Sequence, residues 1–183
     1  MTDRLVHVEM IEKRQAIVYW LLPDPPAREV FSKKIRELAT RFGAPEFEPH
    51  VTVFISPDSS RQPSDVLGEL EPKTIELTAS NISFSEKFTK TLFLQFEKSQ
   101  ALQKLGDEIW RVSGAPERHI IDPHLSLLYA KLALEKKKAL ANEIKFSFGK
   151  VVFRSICAMG CAWPTTTAAE VKNWRLLAPT ANL

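Results

Sequence analysis

Two short stretches of the chain, EPHVTV at residues 48–53 and DPHLSL at residues 122–127, match position by position and limit how it can fold. In each, an acidic residue and a proline precede a histidine, and an aliphatic, a hydroxyl-bearing and a second aliphatic residue follow it. Proline and the residue before it favour extended backbone, so each histidine is predicted to begin a β-strand. The match indicates an internal repeat in which two strands carry the same set of side chains.

Alternation along a strand separates these side chains by face. His50 and Thr52 share one face of the first strand, and His124 and Ser126 share one face of the second, while the aliphatic residues point the other way. The α-carbons of residues two apart lie about 6.6 Å from each other, so an imidazole and a hydroxyl can contact one small group together. The two pairs are expected to build a single site.

This set of side chains suits the chemistry of phosphodiesters. Near pH 7 a neutral histidine can take a proton from water while a protonated one gives a proton to the leaving oxygen. Hydroxyl groups can donate hydrogen bonds to nonbridging oxygens as charge builds on them. A single H-x-T or H-x-S in a strand usually marks a structural histidine, but a second copy with the same flanking residues favours a catalytic pair.

Outward from these stretches, the sequence predicts strands and amphipathic helices in an α+β fold with antiparallel sheets. Residues 31–42 place apolar side chains at helical spacing and end at Gly43, and Ser99 is a suitable N-cap for a helix that stops at Gly114. Two further helices are predicted around residues 66–70 and over residues 134–144. Strands are predicted at residues 16–22, 50–55, 74–79, 82–88, 91–96, 124–129, 150–159 and 173–178.

Composition narrows the possible classes of protein. The 183 residues are 44% hydrophobic and 26% charged, which is typical of a soluble globular chain and not of a disordered or fibrous one. A net charge of +3 permits an anionic substrate but lacks the basic stripe of a protein that binds long nucleic acids. The sequence has neither a signal peptide nor an apolar run that could span a bilayer, so a cytoplasmic location is expected.

The cysteines and remaining histidines indicate no metal site. Cys157 and Cys161 are four residues apart on a predicted strand, too far for a disulfide unless the chain turns at Gly160, so they are expected to be buried, reduced thiols. His7 and His119 lie outside any ligand-like spacing. No cofactor and no metal are therefore predicted. The acidic residues before the two histidines are expected to have surface or structural roles.

The tandem H-x-T/S pattern resembles the signature of the 2H phosphoesterase superfamily, and more specifically its cyclic phosphodiesterase branch in plants and yeast. The segments that carry the resemblance are WLLP at residues 20–23, FEPHVTV at residues 47–53 and PHLSLLYA at residues 123–130. The resemblance covers the chain from about Ala16 to its C-terminus. It implies one 2H phosphoesterase domain over residues 1–183, with residues 1–15 as an N-terminal extension of unknown role.

The resemblance also implies a fold and an activity. The fold would be bilobal, with two antiparallel sheets facing a central cleft, helices outside, and one motif strand from each sheet. Members of the branch open ADP-ribose 1″,2″-cyclic phosphate and nucleoside 2′,3′-cyclic phosphates, products linked to RNA and tRNA splicing, without a metal. Carried over by motif, His50 and His124 would be the acid-base pair and Thr52 and Ser126 would hold the phosphate. The motif leaves open which histidine is the base.

Candidate substrate-binding residues follow from the same similarity. Trp20, Phe88 and Tyr129 could each face a nucleobase, although core packing is an alternative for all three. The other three tryptophans, Trp110, Trp163 and Trp174, are expected to be structural. Lys87 and Lys90 could meet a second phosphate, but solvated lysines are the preferred interpretation.

Two other functions stay open at this stage. One is a 2H enzyme that acts on RNA ends or 2′-5′ linkages, although no arginine cluster flanks either motif. The other is a nucleotide-binding module that holds a phosphate without cleaving it. The preferred partner is a small cyclic phosphate nucleotide; no long nucleic acid and no membrane are expected, and the protein is expected to be a monomer.

Overall fold

The computed structural model describes residues 13–57, 61–71, 73–147 and 149–182. Within these ranges the chain forms seven β-strands and five α-helices, and the predicted α+β class is confirmed. In chain order they are β1 (Arg14–Pro23), α1 (Ala27–Phe42), β2 (Val51–Pro57), α2 (Pro63–Gly68), β3 (Ile75–Phe84), β4 (Leu92–Phe96), α3 (Gln100–Ser113), β5 (His124–Leu128), α4 (Leu134–Glu143), β6 (Lys150–Trp163), α5 (Ala168–Lys172) and β7 (Arg175–Asn182).

All strand pairs are antiparallel, and they join the two expected lobes into one sheet. The strand order is β1-β2-β5-β4-β3-β6-β7, and β1 also pairs with β6, so six strands close a ring to which β7 is added. One lobe consists of β1, β2, β6 and β7, and the other of β3, β4 and β5. The lobes meet through one pair, Val51 and Leu125, and through the start of β6 against β3. The two motif strands are therefore neighbours in the sheet.

Alternation along β1 divides the hydrophobic interior. Ile17, Tyr19 and Leu21 pack into the main core with helices α1 to α4. The intervening residues Val18 and Trp20 belong to a smaller cluster on the other face of the strand. This second cluster borders the region where the two motif histidines lie.

The predicted helix ends of α1 and α3 are confirmed. Gly43 follows α1 in the left-handed conformation with φ of 61°, and Gly114 follows α3 with φ of 67°. Glycine adopts this backbone conformation without the steric penalty of a Cβ atom. At the start of α3 the Ser99 hydroxyl accepts a hydrogen bond from the Leu102 amide at 3.2 Å.

Three local predictions are wrong. The segments predicted as strands 74–79 and 82–88 form one strand, β3, whose register shifts between Ala79 and Ile82, and Phe88 lies in a short 3-10 turn, Phe88–Lys90. Strand β6 does not end near Gly160; a Cβ atom there would lie 3.2 Å from the Leu177 side chain, so the glycine lets β7 pack closely. Helix α5 precedes β7 and was not predicted.

Residues 1–12 of the predicted N-terminal extension, including His7, lie outside the described residues. Strand β1 begins at Arg14, and the ammonium of the preceding residue, Lys13, forms an ion pair with Glu170. None of the helices described above is both long enough and apolar enough to cross a membrane.

Candidate active site

The two motif strands meet at the pair Val51 and Leu125, whose side chains are fully buried on the core side of the sheet. Extending the antiparallel register by one residue each way sets His50 opposite Ser126 and Thr52 opposite His124. These four side chains share the face opposite the core because strand residues alternate. Each histidine therefore stands across from the hydroxyl of the other motif.

Each motif histidine also contacts an aromatic ring from the next strand outward. Trp20 of β1 stacks on His50, with ring centroids 3.7 Å apart and planes 10° apart. Phe93 of β4 lies edge-on to His124, with centroids 5.4 Å apart and planes at 69°. The two rings occupy matching positions, because each one pairs in its sheet with the hydroxyl residue of the adjacent motif.

The internal repeat extends to backbone irregularities. The register between β1 and β2 shifts so that it skips Val53, and the register between β4 and β5 shifts so that it skips Leu127. These are equivalent positions of the two motifs, and both side chains are fully buried. A β-bulge bends a strand and redirects its side chains, and bulges are common next to active sites. The structural repeat is therefore larger than the six residues visible in the sequence.

Hydrogen bonds fix both imidazole rings in the same way. The Nδ1 atom of His50 lies 2.6 Å from the Glu48 carbonyl oxygen, and that of His124 lies 2.7 Å from the Asp122 carbonyl oxygen. A carbonyl only accepts, so Nδ1 carries the hydrogen in each ring and donates it. In the neutral form of each histidine, Nε2 is left with a free lone pair. The backbone before each strand thus orients its histidine.

Burial controls the protonation of both histidines. His50 is only 6% exposed, and burial lowers its pKa to about 3, an effect that the Glu48 carbonyl opposes and His124 reinforces. Burial also lowers the pKa of His124, where the carbonyl and carboxylate of Asp122 oppose the shift and Lys90 adds to it. Both imidazoles are neutral at pH 7 when the site is empty.

The two motif hydroxyls differ in their hydrogen bonds. Ser126 is buried and donates to the Thr89 carbonyl at 2.8 Å. Burial raises the pKa of the neighbouring Tyr129 phenol, and an interaction with the Ser126 side chain opposes this shift. The partly buried Thr52 hydroxyl makes no hydrogen bond to any other part of the chain that the structure describes, so its hydrogen is available to a ligand.

All four motif side chains line one cavity of about 310 Å³. Trp20 and Tyr129 line it too, but Phe88 does not; it lies behind Tyr129, with ring centroids 6.0 Å apart. Trp20 and Tyr129 each have a ring face covered, by His50 and Phe47 respectively. The remaining lining residues are Val18, Ile55, Lys87, Thr89, Lys90, His119, Ile120, Asp122, Cys161, Trp163, Thr165 and Trp174.

Charged groups at one side of the cavity form a fixed arrangement. The Lys90 ammonium pairs with the Asp122 carboxylate and lies 4.2 Å from the centre of the Phe93 ring. Gln95 donates to the same carboxylate at 3.1 Å. The side chain of Lys90 is only 16% exposed, so the interpretation of Lys90 as a solvated lysine was wrong. Lys87 is exposed at the rim and contributes positive charge near His124.

Several residues of the cavity were not predicted from the sequence. His119 and Ile120 lie at its mouth, where Ile120 is 87% exposed, and Trp163 and Trp174 contribute to its wall. His119 could not be predicted as a cavity residue, because nothing in its spacing relates it to the motifs. That Ile120 is exposed beside a cavity depends on the tertiary structure and could not be predicted from the sequence.

The cysteines are as predicted, free and buried in β6. Burial raises the pKa of each thiol to about 11. Among the residues that the structure describes, no three histidine, cysteine, aspartate or glutamate side chains are grouped as ligands for a metal ion. The two motifs thus bring two imidazoles and two hydroxyls to the cavity, beside the paired lysine Lys90.

The family model for cyclic phosphodiesterase-like proteins matches residues 15–181. The chain belongs to this family. The predicted resemblance to the cyclic phosphodiesterase branch of 2H phosphoesterases is therefore confirmed, and so is its assignment as a cyclic phosphodiesterase enzyme.

Searches against known proteins find relatives that are consistent with this family. A curated relative from Arabidopsis thaliana, named cyclic phosphodiesterase, is 29% identical over 129 residues, which are 69% of this chain and 71% of that protein. Escherichia coli LigT in its apo form matches with a TM-score of 0.59 at 12% identity, over 94% of this chain and 99% of that one. A Thermus thermophilus protein matches with a TM-score of 0.56 at 10% identity, over 92% and 97%. This chain therefore has the same fold as these solved structures.

Proposed function

We propose that this cyclic phosphodiesterase-like protein hydrolyses small cyclic phosphodiesters, namely nucleoside 2′,3′-cyclic phosphates and ADP-ribose 1″,2″-cyclic phosphate, without a metal ion. The observation that carries the proposal is the crosswise arrangement of the two histidines and two hydroxyls around one cavity, with the Nδ1 atom of each histidine held by a carbonyl. Both Nε2 atoms are then free for the substrate. LigT, which shares the fold, has been crystallised with 3′-AMP and with phosphate.

The proposed reaction is one displacement at phosphorus. The Nε2 atom of one neutral histidine takes a proton from water, whose oxygen forms the new bond to phosphorus. The bond from phosphorus to one ring oxygen breaks, and the protonated second histidine donates its Nε2 proton to that oxygen. The product is a phosphomonoester with a free hydroxyl. The proton gained by the base and the one lost by the acid are exchanged with solvent before the next turnover.

We assign His50 as the base and His124 as the acid. His50 is buried under the Trp20 ring, and this burial favours its neutral form more than the Glu48 carbonyl favours the charged one. His124 is less buried, and the carbonyl and the carboxylate of Asp122 favour its charged form against the opposing charge of Lys90. The negative charge of a bound phosphate raises the pKa of the nearer imidazole further, and that protonated ring can then serve as the acid.

Thr52 and Ser126 are proposed to donate hydrogen bonds to the nonbridging oxygens. The Thr52 hydrogen is available in the empty site, whereas Ser126 must turn its hydrogen away from the Thr89 carbonyl. Because Ser126 changes partner, part of its interaction with the phosphate replaces a hydrogen bond already present. We therefore expect Thr52 to contribute more to binding than Ser126.

The nucleoside part of the substrate is proposed to leave the cavity past His119 and Ile120. Trp20 and Tyr129 are buried and each has a covered ring face, so they shape the cavity wall instead of offering an open platform. The Ile120 side chain is exposed and lies at the mouth. Contact with a base would remove its apolar surface from water.

The deciding experiment compares the wild-type protein with His50→Ala and His124→Ala. We expect each substitution to lower kcat by about 10²–10⁴-fold on 2′,3′-cyclic AMP, with the far-UV circular dichroism unchanged and the activity insensitive to EDTA. Phosphorus NMR of the product locates the phosphomonoester. Full turnover by either folded variant, or turnover only after a metal ion is added, would contradict the proposal.

Two further substrates separate the assigned roles and the alternatives. A 4-nitrophenyl phosphodiester has a leaving group that needs no proton, so it should largely restore turnover to His124→Ala and not to His50→Ala. Restoration in His50→Ala instead would reverse the assignment. Faster hydrolysis of an oligonucleotide than of the cyclic mononucleotide would favour an enzyme of RNA ends, and binding of the cyclic nucleotide without hydrolysis would favour a binding module.

A further inference from the structure

Lys137 in α4 is a buried lysine with no contact to the cavity. Only 2% of the surface of Lys137 is exposed, although lysine is almost never fully buried unless it is paired. Its ammonium donates to the Ser85 carbonyl at 3.0 Å and to the Glu86 carboxylate at 2.5 Å. The Glu86 side chain is 84% exposed, so the buried partner of the charge is a single backbone carbonyl.

Ser85 holds together the loop that follows β3. Its hydroxyl donates to the Lys90 carbonyl at 2.7 Å and accepts from the Lys87 amide at 3.2 Å. Its own amide donates to the Thr91 carbonyl at 3.3 Å. Residues 85–91 are therefore closed into a compact loop through Ser85, and the ammonium of Lys137 attaches that loop to α4.

The same loop forms one side of the active site. Lys87, Thr89 and Lys90 line the cavity, and the Thr89 carbonyl accepts the hydrogen bond from Ser126. The path from Lys137 to Ser126 runs from the ammonium to the Ser85 carbonyl, from the Ser85 hydroxyl to the Lys90 carbonyl, along the backbone to Thr89, and from the Thr89 carbonyl to the Ser126 hydroxyl. No other cation among the described side chains is hydrogen-bonded to this loop from α4.

We infer that Lys137 is a positioning residue for the phosphodiesterase reaction, acting through the loop 85–91 on the Thr89 carbonyl, which holds the Ser126 side chain in the rotamer from which its hydroxyl turns to the phosphate. The inference rests on the proposed function. A buried charge is expensive to desolvate, and an apolar side chain of similar volume is often as stable or more so in such a place. The ammonium is therefore expected to fix the position of the loop and to add little to the stability of the fold.

The test is a double-mutant cycle of Lys137→Met and Ser126→Ala, with Lys138→Met as the matched control. Lys138 is the next residue of α4, is exposed and pairs with Glu135 in its own helix. We expect Lys137→Met to lower kcat and kcat/KM together by on the order of tenfold, with KM little changed, because misplacement affects the transition state. In the Ser126→Ala background that loss should largely disappear, and Lys138→Met should have no effect in either background.

A second readout does not depend on turnover. Amide hydrogen exchange at Lys87 and Lys90 should become faster in Lys137→Met and stay unchanged in Lys138→Met, because the loop loses its attachment. If Lys137→Met fails to fold, Ser85→Ala opens the same loop without altering the buried charge and should give the same exchange and the same cycle. The inference would be overturned if the kcat losses of the two single variants multiplied in the double variant, or if amide hydrogen exchange in the loop did not change. An inactive wild-type protein would instead contradict the proposed function, while the exchange data would still report on the loop.

Discussion

Replacement of His50 by glutamine tests whether the enclosure of this imidazole keeps it neutral. The pKa of His50 is about 3 in the folded protein, against an ordinary value of 6.5 in an unfolded chain. The unfolded chain therefore takes up the proton first as the pH falls. The stability associated with the neutral ring is fully present above about pH 6.5 and is lost as the pH falls from there to about 3.

The size of this effect follows from the same two values. One pKa unit corresponds to about 1.4 kcal/mol, so at a pH two units below the ordinary value the folded state has lost about 3 kcal/mol through His50 alone. That is a large fraction of the roughly 5–15 kcal/mol that stabilises a typical domain. His124 and His119, whose pKa values are also lowered, act in the same direction and are present in both proteins compared.

The assay is chemical unfolding followed by circular dichroism at several pH values between about 7.5 and 4.5, for the wild type and His50→Gln. The wild type should lose about 3 kcal/mol more than the variant over this interval, whatever their difference at neutral pH. Titration of the His50 Hε1 signal by NMR gives the pKa independently. Equal losses in the two proteins, or an NMR midpoint near 6.5, would show that the enclosure of His50 does not keep its ring neutral.

Three further predictions concern the cavity and its surroundings. Thr52→Val should raise KM for 2′,3′-cyclic AMP more than Ser126→Ala does, because only Ser126 already has a partner for its hydrogen; the reverse order in steady-state kinetics would contradict this account. Ile120→Asp should raise KM severalfold for nucleoside cyclic phosphates and leave a cyclic phosphate without a base unaffected, and an equal rise for both would remove the proposed contact. Cys157 and Cys161 should react with a disulfide reagent near pH 8 only after the protein is unfolded, as monitored by released thiolate; rapid labelling of the native protein would contradict their burial.

Local sequence rules predicted most of the elements but not their exact extents. The stop signals Gly43 and Gly114 worked because helix ends depend on a few adjacent residues. Gly160 suggested the end of a strand, but a glycine at this position allows the close approach of β7, a contact that local sequence rules do not show. Helix α5 was missed although Thr167 and Glu170 form a capping box, because five residues are too few to show helical periodicity.

The candidate site was predictable to the extent that it is repeated in the sequence. His50, Thr52, His124 and Ser126 were found because two copies of one pattern stand out from chance. Phe93, the counterpart of Trp20, could not be found in this way, since one ring is an indole and the other a phenyl group and their neighbours along the chain differ. Side chains such as Lys137 act through backbone carbonyls, and a carbonyl is present at every residue, so no sequence pattern marks its partner.

The single pair that joins the motif strands, Val51 and Leu125, has a consequence for how a phosphate fits the site. An antiparallel pair has a local two-fold axis between its strands, and here that axis exchanges one histidine with the other and one hydroxyl with the other. The four oxygens around the phosphorus of a cyclic diester have the same local symmetry, because two of them are ring oxygens and two are nonbridging. A phosphate centred on the axis would meet equivalent groups in either of two orientations. The direction of attack is then chosen by the unlike surroundings of the two halves, an indole at one histidine and a lysine-carboxylate pair at the other.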